Sequence, residues 1–234
     1  MSVYAGPETT SSNLVFCIDF SNPRSVNTTT LSVTDLGPRN ITVTLTNASN
    51  NTVTIANGYA QFSPAGQQIQ STYYNISNTY FNDIRNEITM ELCVWSANVP
   101  DGGSRLVSTR TTETGSPIGY SISNTGIGVE INSGGVWRTT SYGITNGTNN
   151  WIHVMQTTSN TNNVVITYVN GANVGAMAIP GTLANGNGFL IGRGFYGGDR
   201  YPVGRVSYLK VYDRVLSSSE VRQNFNAMRA RFGI

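Results

Sequence analysis

The chain has 234 residues, of which 38% are hydrophobic and only 11% charged, with a formal net charge of +2. Asn, Ser and Thr supply a third of it, and Gly adds 25 residues. A coiled coil or helical bundle is excluded, because those folds need far more Ala, Glu, Lys and Leu. Disorder is excluded too, because 12 Tyr, 8 Phe and 3 Trp provide ample core material at low net charge. No apolar run approaches the length that spans a bilayer. The opening MSVYAGPETT lacks the basic and apolar pattern of a secretion signal, so synthesis without export and no membrane partner are expected.

The cations are 13 Arg and a single lysine, Lys210. They form no basic stripe, which argues against nucleic acid as a partner. Arg in place of Lys suits planar, partly desolvated contacts to carboxylates and aromatic faces, although codon bias accounts for it equally well. Cys17 and Cys93 lie in the apolar runs LVFCIDF and MELCVW and read as small buried thiols rather than a disulfide. The sequons at Asn27, Asn40, Asn47, Asn50, Asn75 and Asn146 are as many as this composition produces by chance.

Along the chain, short β-branched or aromatic runs alternate with Gly/Asn/Ser clusters. Strands are predicted at Leu14–Phe20, Ile41–Thr46, Thr52–Ile55, Tyr59–Phe62, Glu87–Ser96, Arg105–Thr109, Gly119–Ser123, Gly128–Asn132 and Val136–Tyr142. Others are predicted at Trp151–Thr157, Val164–Asn170, Asn173–Ile179, Phe189–Gly192 and Val203–Tyr212. In the run from Glu87 to Trp95, Ile88, Met90, Leu92 and Val94 share one face, and Glu87, Thr89, Glu91 and Cys93 share the other. Asn170-Gly171 is the strongest hairpin signal, since a type I′ turn needs positive φ at both central residues. Many strands with turns every 8–12 residues predict an all-β, two-sheet antiparallel sandwich or jelly roll.

The last segment departs from this pattern. Ser217 and Glu220 form a capping box, Leu216 and Val221 the matching hydrophobic staple, and Val221, Phe225 and Met228 recur at helical spacing. One short C-terminal helix over 217–230 is expected to pack on the sandwich, with Arg229 and Arg231 near its negative end. Residues 1–13 read as an N-terminal arm. No linker, charge block or repeat divides the chain, so 1–234 reads as one domain.

Several stretches resemble a known family. Phe189-Leu190-Ile191-Gly192, Gly204-Arg205-Val206 and Val211 to Ser217 with Glu220-Val221 are similar to the end of a laminin-G-like, concanavalin-A-like jelly roll. Trp151-Ile152-His153-Val154 resembles its W-x-H-V strand, Tyr168-Val169-Asn170-Gly171 its Y-V-D/N-G hairpin, and Thr89 to Trp95 its T-x-E-x-x-x-W strand. Gly58 to Phe62 is similar to the strand that usually reads F-D-G, with the Asp and the final Gly missing. The two ends, Tyr4-Ala5-Gly6-Pro7 with Leu14 to Asp19 and Asn22 to Ser25, and Asn224 to Ala227 with Arg231 to Ile234, resemble structural proteins of tailed, particularly marine, bacteriophages. The resemblance implies a concanavalin A-like fold with the first strand beside the last. It also implies a virion protein, made in the bacterial cytoplasm and mounted on capsid or tail. Fold resemblance does not by itself supply a ligand.

Glucanases on this scaffold carry E-x-D-x-x-E on one strand. The nearest match, Glu87 to Glu91, lacks the middle acid and the third. Two residues four apart on a strand are separated by about 13 Å, whereas retaining hydrolysis needs carboxylates facing each other at about 5 Å. Glu87 and Glu91 therefore read as an ordinary solvated strand face. His153 is the only histidine, lies in a strand beside Trp151 and has no G-x-S-x-G elbow, so it reads as packing. No catalytic residue, metal site or cofactor is expected. The resemblance implies one ion worth testing, calcium at a rim, for which Asp101-Gly102-Gly103 and Gly197-Gly198-Asp199 offer loop acids opposed by Arg200.

The segment Gly194 to Pro202 brings together Phe195, Tyr196, Asp199, Arg200 and Tyr201. Its rings could stack on sugars while Asp and Arg bond hydroxyls, or anchor a protein contact, or pack on one another. Tyr73 and Tyr74, with Tyr80 and Phe81, carry the same ambiguity. The expected function is non-enzymatic: a virion subunit held by other capsid or tail proteins, with a further copy of the chain as another candidate partner. The competing expectation is a carbohydrate-binding module attaching the particle to glycans, where multivalent display makes weak binding count.

Overall fold

The structure is a computed structural model. It describes residues 8–46, 53–62, 73–77, 86–96, 104–108, 118–123, 126–133, 136–142, 150–181, 183, 188–192 and 204–234.

Seventeen strands are found among these residues. They are β1 (Leu14–Asp19), β2 (Val26–Asn27), β3 (Ser32–Val33), β4 (Thr44–Thr46), β5 (Thr54–Ala56), β6 (Tyr59–Phe62), β7 (Tyr73–Ser77), β8 (Glu87–Ser96) and β9 (Ser104–Ser108). The later strands are β10 (Ile118–Ser123), β11 (Gly126–Ser133), β12 (Val136–Tyr142), β13 (Trp151–Ser159), β14 (Val164–Val169), β15 (Ala172–Ala178), β16 (Gly188–Ile191) and β17 (Gly204–Tyr212). One helix, α1, spans Ser218–Phe232.

Two antiparallel sheets carry the fold. The first runs β15-β14-β13-β8-β17-β6-β5, and β1 also pairs with β17. The N-terminal half of β17 pairs with β6 and its C-terminal half with β1, so those two strands lie end to end along one edge of β17. The first strand thus lies beside the last, as the resemblance implied. The second sheet runs β12-β11-β10-β9-β16-β7-β4.

The inner faces meet in one core. Phe16 and Ile18 of β1, Ile88, Met90, Leu92 and Val94 of β8, and Val206, Leu209 and Val211 of β17 face Ile76, Val107, Ile131, Phe189 and Ile191 of the other sheet. The alternation read from Glu87 to Trp95 therefore assigns the inner face correctly. Its outer face is also covered, because α1 lies on it: Val221 and Leu216 pack with Met155, Tyr168 and Tyr212. Hence β13 and β17 are buried on both faces over most of their length, whereas edge strand β15 shows exposed residues throughout.

The start of α1 follows from sequence. Ser217 caps Glu220 N–H and the Glu220 carboxylate accepts from Ser217 N–H at 2.9 Å, so the capping box is complete. Gly233 closes the helix in the left-handed region at φ 68°. The helix runs two residues beyond the expected 230, because Phe232 packs against Trp151 and Tyr208 and Arg231 pairs with Asp19 at 2.8 Å. The Asn170-Gly171 turn has φ 48° and 74°, as a type I′ hairpin requires. Strands β2, β3 and β7 were not expected. The first two are two-residue pairings, and β7 lies in an aromatic stretch without clear periodicity.

Candidate functional site: an aromatic and arginine row

The acids of β8 prove structural. Glu87 Oε1 accepts from Ser159 Oγ at 3.0 Å and Thr161 N at 3.1 Å, closing the β13–β14 turn onto β8. Glu91 corrects the expectation of a solvated face. It is 0% exposed, because α1 covers the position that alternation assigns to the polar side. Its Oε1 accepts from Tyr208 OH at 3.0 Å and lies 3.3 Å from His153 Nε2 and 3.7 Å from Lys210 Nζ. Its Oε2 accepts from Tyr212 OH at 3.0 Å and Asn224 Nδ2 at 2.8 Å. Burial pushes this carboxyl up, but the Lys210 charge and the His153 and Tyr208 hydrogen bonds outweigh it and hold it at about 2. The chain's single lysine is thus the counter-ion of a buried acid.

A carboxylate so fully occupied has no open side for a substrate. His153 is 1% exposed, its ring 5.6 Å from that of Phe225 in α1, which agrees with a packing role. Among the described residues no group of acids, His or Cys could hold a metal.

Beyond the C-terminal turn of α1, the outer sheet face is half-exposed and chemically different. Register aligns Trp151 of β13 with Trp95 of β8, Trp95 with Arg205 of β17, Arg205 with Gln61 of β6, and Gln61 with Thr54 of β5. Antiparallel register therefore writes one row across five strands. The Arg205 guanidinium lies 4.2 Å from the Trp95 ring centroid and 4.6 Å from that of Tyr59. Its Nε donates to Gln61 Oε1 at 3.3 Å. Tyr59 meets Trp151 at 5.8 Å, and Trp151 meets Phe232 at 5.1 Å, so the helix end closes one side of the cluster. Trp95, Trp151, Tyr59, Gln61, Arg205 and Phe232 are each half-buried. Aromatic edges and faces beside a cation have the chemistry to meet a ligand with both apolar C–H faces and polar groups.

The row was not singled out from the sequence. Trp95 and Trp151 stand in the family-like strand motifs, and alternation already puts Trp95 on the face of Glu91. Arg205 opposite Trp95 needs the β17–β8 pairing, which only the fold supplies. Of the expected contact residues, Phe195, Tyr196, Asp199, Arg200 and Tyr201 lie outside the described residues, as do Asp101, Tyr80 and Phe81. Their segment, 193–203, leads in sequence directly to Gly204 and Arg205. Tyr73 is in β7. Tyr74 is a correction: it is 0% exposed, its ring packs against Phe20 and Phe62, and its hydroxyl donates to Leu31 O at 3.0 Å. Alternation turns it into the core, where no ligand reaches it.

The described fold is shared with structures of low sequence identity. The binding domain of botulinum neurotoxin DC in complex with SialylT aligns at TM-score 0.68 and 11% identity, over 94% of this chain and 52% of that one. The binding domain of Paraclostridial Mosquitocidal Protein 1 aligns at 0.67 and 14%, over 92% and 52%. Trypanosoma rangeli sialidase aligns at 0.67 and 18%, over 96% and 34%. The chain therefore spans about half the length of those binding domains. No curated protein matches it in sequence. Residues 66–222 match the profile of the Concanavalin A-like lectin/glucanases superfamily (Laminin_G_3), and the chain belongs to that family.

Proposed function

We propose that the chain is a non-enzymatic, lectin-like binding domain that recognises glycans through the row Trp151–Trp95–Arg205–Gln61. The observation that carries this reading is the half-exposed Trp95–Arg205–Tyr59 stack, since rigid aromatic faces beside a fixed donor suit a pyranose ring and its hydroxyls. Two of the similar structures are described with SialylT or as a sialidase, but at such identity the likeness speaks for fold only. The reading without catalysis rests on the occupied carboxylates of Glu87 and Glu91. A glycan array tests it: the wild-type chain is expected to bind, and Trp95→Ala to lose at least about tenfold in affinity. Trp95→Phe, which keeps a ring, should retain part of it. Tyr196→Ala and Arg200→Ala report whether the segment before Arg205 contributes. An array on which the wild-type chain binds nothing would overturn the proposal.

A second reading, compatible with the first, is that this domain is a subunit of a tailed-phage particle. One observation favours it: Asp19 and Arg231, which stand in the two end stretches that resemble phage structural proteins, are bonded to each other, and neighbouring described residues of the two ends bond as well. Arg231 binds both Asp19 oxygens at 2.8 and 2.9 Å, Thr10 N–H donates to Asn224 Oδ1 at 2.7 Å, and Gln223 Nε2 donates to Glu8 O at 2.8 Å. They form one unit that could serve as a mounting surface on capsid or tail proteins. Mass spectrometry of purified particles should then detect the chain, and particles lacking it should show a missing external feature. Its absence from particles would dispose of this reading.

A further inference from the structure

The arginines of the structure differ in what they face. Arg214 grips both oxygens of Glu220, Arg231 grips both oxygens of Asp19, and Arg39 meets Asp213 at 3.5 Å. Arg205 instead lies between the rings of Trp95 and Tyr59, with its Nε donating to Gln61. Yet among the described residues no carboxylate lies within ion-pair distance of it. With Nε committed, the end-on fork of its two Nη groups is the part left for a partner. A guanidinium with ring-covered faces is weakly hydrated, and its fork matches a planar carboxylate in two parallel hydrogen bonds.

From this geometry we infer that the row selects an acidic saccharide, and that Arg205 reads its carboxylate while Trp95, Tyr59 and Trp151 hold the sugar ring. The inference rests on the glycan-binding reading and adds the ligand class to it. Charge favours it, since the nearest helical turn adds Arg229 and no acid, and Asp19 beside it is already paired with Arg231. The buried acid of this face, Glu91, is already neutralised by Lys210, so it does not repel an incoming anion. A neutral sugar would leave the Nη fork half-used.

The experiment uses the full chain and three matched sets of oligosaccharides: sialic- or uronic-acid-terminated, the same sugars with the carboxyl reduced to an alcohol, and neutral counterparts. Titration calorimetry should show binding of the acidic set, weakened about tenfold or more by carboxyl reduction. Arg205→Lys keeps the charge but not the fork or the stacking plane. It should lose a similar factor for acidic sugars while its melting temperature stays near that of the wild type. Added salt should weaken the acidic interaction progressively. Equal binding of acidic and reduced sugars, still sensitive to Trp95→Ala, would overturn the acidic selectivity and leave glycan recognition standing. Undiminished binding of acidic sugars by Arg205→Lys would overturn the role of Arg205. Failure of every sugar to bind the wild-type chain would overturn both proposals.

Discussion

Asn224 of α1 places its Nδ2 2.8 Å from Glu91 Oε2 in the middle of β8, so the helix is fastened to the sheet through a carboxylate that solvent does not reach. The same amide donates to Tyr212 OH at 3.0 Å, which itself donates to Glu91, and its Oδ1 receives Thr10 N–H from the N-terminal arm. One side chain thus joins helix, sheet and arm. Replacing it with Ala strips a donor from a buried charge and an acceptor from the arm. Asn224→Ala should destabilise the fold by about 1–3 kcal/mol, the usual cost of an unsatisfied buried group. Urea denaturation measures the loss, and amide exchange at Thr10 should accelerate beyond what that loss explains.

Acid should weaken the domain, and Glu91 should be a main reason. Its folded-state pKa of about 2 lies below the ordinary 4.5, so ionised Glu91 stabilises the native state at neutral pH. That contribution is complete above the unfolded value and is lost as pH falls through 4.5 towards 2. The shift corresponds to roughly 3 kcal/mol. Glu220, held at about 2 chiefly by its hydrogen bonds to Arg214, and Asp19 move stability in the same direction, but both are more exposed and salt screens them. The urea midpoint should therefore fall between about pH 7 and about pH 3 in the wild type, and much less in Glu91→Gln. Equal pH dependence in both proteins would show that Glu91 is not the group responsible.

The two thiols offer a direct check on burial. Cys17 and Cys93 are free and on the same face of the sheet, but β17 lies between their strands. Two strand spacings and a two-residue offset along β8 put them about 12 Å apart, beyond the reach of a disulfide. Burial pushes the Cys17 thiol up to about 11 and that of Cys93 well above its usual value. Neither should react with a thiol reagent in the native state at neutral pH, and both should react at once in denaturant. A rapidly titrating thiol in the native protein would contradict this packing.

Much of the fold was legible because it is written in local pattern. Ile88, Met90, Leu92 and Val94 alternate onto the core, Asn170-Gly171 specifies its turn, and Ser217 with Glu220 specifies where α1 begins. Glu91 was misread for a physical reason: alternation tells which face a residue is on, but not whether another element covers that face. Arg205 was overlooked for a related one. Its neighbours Trp95 and Gln61 are distant in sequence and come beside it only through the pairing of β17 with β8 and β6. Tyr74 had no periodicity around it to reveal that its strand turns it inward.

Gly171 ties the hairpin to the helix and gives a sharp test of that tertiary contact. Its φ of 74° lies in the left-handed region, where a side chain is strained, and a Cβ there would stand 2.8 Å from Cδ1 of the Phe225 ring. The turn is held from both directions, since Asn170 N–H donates to His153 O at 2.9 Å and His153 N–H donates to Asn170 Oδ1 at 3.0 Å. It cannot move away cheaply, and Phe225 is itself packed on the His153 ring. Gly171→Ala should therefore cost more than the roughly 1 kcal/mol of backbone strain alone. Gly171→Ala combined with Phe225→Leu, which frees space above the turn, should cost less than the sum of the two single changes in a double-mutant cycle. Strict additivity would mean that the hairpin and α1 do not touch in solution as they do here.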